Sequence, residues 1–246
     1  VAIYTVYGMI ASSDMTVINS FTTGSDAKFG DLYARDEREK LKHAFDTYES
    51  IYIVIVTIIF SCTNILIVPF VSVYTSGIND ANYIQPLFAF LLVTAYFFQA
   101  IKSPYNSLAH DAGKFKETIV GSWLEAVINI VVSLILVKKY GMVGVVIGTL
   151  ASVIYRGFSF IKYVSSDILD RNIFLSLKKL FLCLVQYLLI YIICKCIKIN
   201  VYSYLSWVIY AMIIFVLSSA IVVLTTALFD KKMIKNIREL LVRKRK

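Results

Sequence analysis

Charge is scarce in this sequence. Asp, Glu, Lys and Arg make up 17% of its 246 residues, where an ordinary soluble domain carries about 25%. Proline is scarcer still. It occurs at Pro69, Pro86 and Pro104, and no stretch is Pro-rich, low in complexity or of the size of a soluble domain. The two histidines, His43 and His110, stand alone in polar stretches, so no His-based metal site or catalytic group is indicated. Four cysteines, Cys62, Cys183, Cys194 and Cys196, show no metal-ligand spacing. Within apolar runs they read as small fillers. Neither a cofactor nor a metal ion is called for.

Apolar residues are abundant instead, at 59% of the chain, with a mean hydropathy of +0.74. A soluble protein of this length cannot hide that much apolar surface, whereas a bilayer solvates the outside of apolar helices. Many tyrosines fall near the ends of apolar runs (Tyr52, Tyr74, Tyr83, Tyr140, Tyr163, Tyr202), where interfacial anchors belong. The expected fold is therefore all-α, a polytopic membrane bundle of about seven transmembrane helices. Runs of about 20 mostly apolar residues lie at Val1–Gly24, Ile51–Tyr74, Ile84–Ala100, Ile119–Val137, Met142–Tyr163, Leu180–Ile199 and Tyr204–Phe229. Pro69 is expected to kink the second run, and Pro104 to end or bend the third. The chain opens on Val1 inside a membrane-like pattern, so it is expected to be part of a longer protein.

Seven spans put twenty of the 25 Lys and Arg on one side of the membrane and four on the other, with Arg156 left inside a span. That asymmetry predicts a cytoplasmic C-terminus. It also accounts for the net charge of +9 without a nucleic-acid partner, because a basic tail lies along anionic headgroups.

Polar residues inside the spans fall on defined faces. Ser12, Thr16, Asn19, Thr23 and Asp26 share one face of the first segment, and Asp14 lies roughly opposite. Thr118, Ser122, Glu125, Asn129 and Ser133 form a second stripe on the fourth. On the fifth, Gly144, Gly148, Ser152 and Arg156 recur every four residues, a ridge that lets helices approach closely. Ser and Thr stripes can serve packing alone. An ionisable group inside a membrane costs several kcal/mol unless it finds a partner or water. Arg156 either snorkels to the headgroups or pairs with Glu125, which lies toward the same side. Together these faces point to a water-accessible cavity for a hydrophilic substrate.

Four groups of residues carry a family resemblance. One is Val6-Tyr7 with Ile18-Asn19-Ser20-Phe21-Thr22-Thr23-Gly24 and Phe29-Gly30-Asp31-Leu32. Another runs from Glu39-Lys40-Leu41 through Phe45 to Tyr48-Glu49. The third joins Lys102-Ser103-Pro104-Tyr105-Asn106 to Ala112-Gly113-Lys114-Phe115-Lys116-Glu117-Thr118. The last is Trp123-Leu124-Glu125-Ala126-Val127-Ile128-Asn129 followed by Tyr140-Gly141, Gly144, Gly148-Thr149 and Tyr155-Arg156. In this order they resemble the C-terminal half of bacterial polysaccharide or oligosaccharide (O-antigen-type) flippases. These form the polysaccharide transporter branch of the multidrug/oligosaccharidyl-lipid/polysaccharide exporter superfamily. Residues 1–170 carry the likeness; residues 171–246 add two generic helices and a basic cytoplasmic tail.

The resemblance implies a two-lobed bundle around a central cavity in the bacterial cytoplasmic (inner) membrane. It implies that the cavity translocates undecaprenyl-pyrophosphate-linked oligosaccharide for cell-surface polysaccharide synthesis, lipopolysaccharide O-antigen among them. Lys102 and Arg156 are then candidate contacts for the anionic headgroup, and Asn129 and Asn19 for the substrate in the cavity. Glu125 and Asp26 are candidates for coupling to an ion or proton gradient. The implied partners are the lipid-linked glycan, membrane lipids and an N-terminal lobe; one lobe alone holds half the cavity. Asp14 and Ser25-Asp26-Ala27-Lys28 are more charged than that family segment is expected to be.

Two other readings remain open. A multidrug or small-molecule exporter shares the fold and differs in cavity polarity. An integral membrane enzyme of glycan assembly needs a carboxylate or His cluster in a loop. Here Asp36, Glu37 and Glu39 alternate with basic residues, and Asp80 has no basic partner nearby in sequence. The chain is therefore read as a transporter rather than an enzyme.

Overall fold

The computed structural model describes residues 2–22, 25–78, 80–197 and 201–230; the side chains of residues 21–27 stand outside that description. The described residues form eight α-helices: α1 (Ala2–Thr22), α2 (Ser25–Ala34), α3 (Arg38–Tyr74), α4 (Pro86–Asp111), α5 (Phe115–Tyr140), α6 (Met142–Tyr163), α7 (Ile173–Lys195) and α8 (Tyr204–Phe229). The expected all-helical class is observed. Six helices, α3 to α8, are long and apolar enough to cross a membrane, which makes this a multi-pass membrane protein. Helix α1 has 21 residues but is not among those six. Its second half carries Ser12, Ser13, Asp14, Thr16, Asn19 and Ser20.

Local chemistry sets the helix ends. Gly113 and Gly141 take φ of 70° and 55° at the α4–α5 and α5–α6 junctions, backbone that a residue with a Cβ resists. Pro86 opens α4 at its first turn, where its missing N–H costs nothing. Asn172 caps α7 by accepting from the N–H of Phe174, and Ser203 caps α8 in a reciprocal pair with Ser206. After α6 the chain widens into a π-helical turn, Val164–Ile168. Asp170 then takes a φ of 44°, and the N–H of Arg171 donates to the C=O of Ser165 at 2.9 Å.

Pro104 does not end its helix: α4 runs through it to Asp111, beyond the expected Ile84–Ala100. A proline removes one backbone donor, and packing from neighbouring helices offsets that loss in membrane bundles; Pro104 is itself buried. Helix α3 likewise begins well before Ile51 and continues through Pro69. The ring of Pro69 has no N–H for the C=O of Ile65. One residue along, the indole Nε1 of Trp207 in α8 donates to the C=O of Leu66 at 3.2 Å.

The core centres on α3 and α4, with Phe45, Phe60, Ile67, Phe88, Leu92 and Phe97 closed to solvent. Tyr187 of α7 stacks on Phe97, with centroids 4.5 Å apart, and its hydroxyl bonds Thr94 at 2.9 Å and Asn64. A second cluster of Cys62, Leu66, Ile190, Cys194, Tyr210 and Ile214 joins α3, α7 and α8. Gln186 of α7 donates to Thr225 and Thr226 of α8 at 2.8 and 3.0 Å, so polar side chains fasten helices where apolar attraction is weak. Outward-facing residues such as Phe181, Leu188, Met212, Phe215 and Leu224 are exposed, as lipid contact requires.

Candidate functional site

Helices α5 and α6 form a hairpin turned at Gly141, and the two predicted ridges meet in it. A Cβ at Gly144 would collide with the backbone of Leu136, and one at Gly148 with Ser133 and the C=O of Asn129. Only the absence of side chains there allows this approach. The stripe on α5 therefore faces α6.

At the start of this seam Lys102, Glu125 and Arg156 come together from α4, α5 and α6. Lys102 Nζ lies 2.7 Å from Oε1 of Glu125, and Arg156 Nε lies 3.6 Å from Oε2. The Lys102 and Arg156 side chains are 9% and 5% exposed and the Glu125 side chain 25%, so the carboxylate is the open member of the group. Arg156 does not snorkel. Its Nη2 donates to the C=O of Thr118 at 2.9 Å and to Ser122 Oγ at 2.8 Å. Its guanidinium also lies 4.0 Å from the ring centroid of Phe160. The flat group presses on α5 at Gly121, where a Cβ would overlap it.

A cavity of about 330 Å³ opens beside this cluster, lined by His110, Phe115, Thr118, Ile119, Ser122 and Trp123. Thr118 and Ser122 are thus shared between the cavity wall and Arg156. The site holds two buried cations, one carboxylate, hydroxyls and exposed aromatic rings, an arrangement able to hold an anion and stack a ring beside it.

The other residues expected from the sequence are placed as follows. Asn129, one turn beyond Glu125, accepts through Oδ1 from Ser133 Oγ at 3.1 Å, and Ser133 also donates to the C=O of Val145 at 3.3 Å. Asn19 lies on the exposed face of α1 with Ser12, Thr16 and Ser20, and α1 packs on α3 and α4. Asp26 falls in α2, with its side chain outside the described ones, as are Thr23 and the basic tail 231–246. In the loops, Asp36 pairs with Arg38 and Glu37 with Lys40 on the surface, and Asp80 accepts from Tyr83 at 3.3 Å.

A second charge cluster is not anticipated by the sequence. Glu49 of α3 is fully buried. It lies 2.6 Å from Lys179 Nζ and 3.0 Å from Arg171 Nη2, and it accepts from Ser176 at 3.0 Å and from Tyr105. Arg171 also pairs with Asp46. Two acids and two bases thus close on themselves and bind α3, α4 and α7. The sequence signal was faint: Arg171 and Lys179 look like ordinary loop cations, and Asp46 and Glu49 precede the apolar run.

No protein-family model matches the chain, and no curated protein matches it in sequence. Its fold is similar to a solved structure of the lipid II flippase MurJ in an inward closed conformation, at a TM-score of 0.61 and 17% identity. The match covers 93% of this chain and 45% of that one, so the chain spans less than half the length of that protein.

Proposed function

We propose that the chain is the C-terminal part of a transporter that moves undecaprenyl-pyrophosphate-linked oligosaccharide across the bacterial cytoplasmic membrane for cell-surface polysaccharide synthesis. The observation that carries this reading is the Lys102–Glu125–Arg156 cluster, two buried cations within the spans of a fold shared with a lipid II flippase. Buried cations inside a membrane bundle are costly unless they serve a partner, and a pyrophosphate headgroup is a partner of matching charge.

In this reading Lys102 and Arg156 receive the headgroup, and Asn129 and Asn19 contact the substrate elsewhere along its path. Glu125 and Asp26 couple its movement to an ion or proton gradient. An N-terminal lobe supplies the facing wall, and the exposed polar face of α1 turns toward the space between the lobes. Residues 1–170 form the transport core, and 171–246 add the last two helices and a tail that stays in the cytoplasm on anionic lipid. The chain acts by alternating access and performs no covalent chemistry.

The test is glycan-lipid sidedness in proteoliposomes carrying the full-length parent. Transfer between leaflets that falls at least tenfold in Arg156→Met or Lys102→Met is the expected result, about the effect of losing one buried charge partner. Unchanged sidedness with the unaltered parent overturns the reading.

A further inference from the structure

The cations of the cluster outnumber its anion. Lys102 and Arg156 both address Glu125, so the group carries one unmatched positive charge. The carboxylate is also its most exposed member. A ligand approaching the two cations therefore meets Glu125 first. Arg156 is fixed independently of it, through Thr118, Ser122 and Phe160. The cation site thus keeps its shape when the carboxylate leaves.

We infer that Glu125 is a built-in counter-ion that occupies the two cations when the site is empty and is displaced by an anion bearing two phosphate groups. A pyrophosphate diester replaces one negative charge by two, matching two cations that one carboxylate leaves half compensated; the free ion and its monoester bring more. Between cycles the carboxylate leaves one buried positive charge unmatched rather than two, and unpaired buried charge is strongly destabilising. It also makes release favourable, because the returning carboxylate competes with the departing anion. The released Glu125 moves outward, on the side where it is already partly exposed. This rests on the reading of the site as one that takes an anionic headgroup. The same chemistry fits a lipid-linked or a soluble pyrophosphate.

The experiment is binding of inorganic pyrophosphate to the purified full chain in detergent, with farnesyl pyrophosphate as competitor. Glu125→Gln is expected to tighten pyrophosphate binding by about tenfold, since a competing charge is removed, while Lys102→Met and Arg156→Met weaken it. Farnesyl pyrophosphate outcompeting the inorganic ion assigns the anion to a lipid headgroup; the reverse order overturns that assignment. A measurement on the unaltered protein does not depend on variants folding: carbodiimide labelling of Glu125 is expected to rise when pyrophosphate is bound. Labelling that stays level or falls overturns the counter-ion role. Weaker binding in the two cation variants with no gain in Glu125→Gln also overturns it, yet leaves the anion site standing. If none of the three variants changes binding, the anion site fails as well.

Discussion

Lys179 Nζ sits 2.6 Å from a carboxylate oxygen of Glu49, 130 residues earlier in the chain, and the glutamate side chain has no contact with solvent. With Arg171 and Asp46 completing the group, this is the most deeply buried charge in the described structure. Removing one partner strands the others. Glu49→Ala is expected to cost about 3–5 kcal/mol of stability, read as a lower thermal transition in detergent. Arg35→Ala, which breaks the exposed pair with Asp31, leaves that transition in place. Equal shifts for the two variants would mean that water reaches Glu49.

Close helix approach makes the glycines of α6 unequal. Gly148→Ala drives a methyl into Asn129 and Ser133 and is expected to cost about 1–3 kcal/mol. Gly157 faces open space, so Gly157→Ala is expected to gain up to about 1 kcal/mol from helix propensity. Thermal unfolding of the pair under one set of conditions checks the opposite signs.

Trp207→Phe tests the bond across the Pro69 region. The ring contact with Phe70, at 5.2 Å between centroids, is largely retained, while the donor to the C=O of Leu66 is lost. A loss of about 0.5–1.5 kcal/mol is expected. No change in unfolding would show that water or another donor serves that carbonyl.

Cysteine accessibility tests the proposed topology. Cys196 is exposed, whereas Cys62, Cys183 and Cys194 are buried. A membrane-impermeant maleimide is expected to label Cys196 from outside intact cells and to spare the other three. Labelling that requires inside-out vesicles would reverse the orientation drawn from the Lys and Arg distribution.

Much of the architecture was legible because apolar runs of membrane length have one comfortable solution, and α3 to α8 fall on them. The stripe from Thr118 to Ser133 and the ridge from Gly144 to Arg156 were legible for a related reason: helical periodicity fixes faces, and two such faces on consecutive helices meet if the turn is short. That pattern allows Glu125 and Arg156 to pair; the fold makes the pair and adds Lys102. The Glu49 group was not legible. Pattern along a chain reports that Asp46, Glu49, Arg171 and Lys179 are charged, but not that a π turn and a left-handed Asp170 carry Arg171 inward. A helix end at Pro104 is not observed, because the rule that proline breaks helices weighs one lost donor and omits the packing around it.

The separation of Glu49 from its partners has a consequence for biogenesis. Arg171 leaves the ribosome 122 residues after Glu49, an interval on the order of ten seconds at ordinary synthesis rates. Through that interval Asp46 and Glu49 have no base from α7 to meet. Unpaired carboxylates favour the aqueous boundary, while the apolar half of α3 favours the bilayer. The ion pairs that enclose Glu49 form only once Arg171 and Lys179 have been made, so the base of α3 reaches its final packing long after the helix itself.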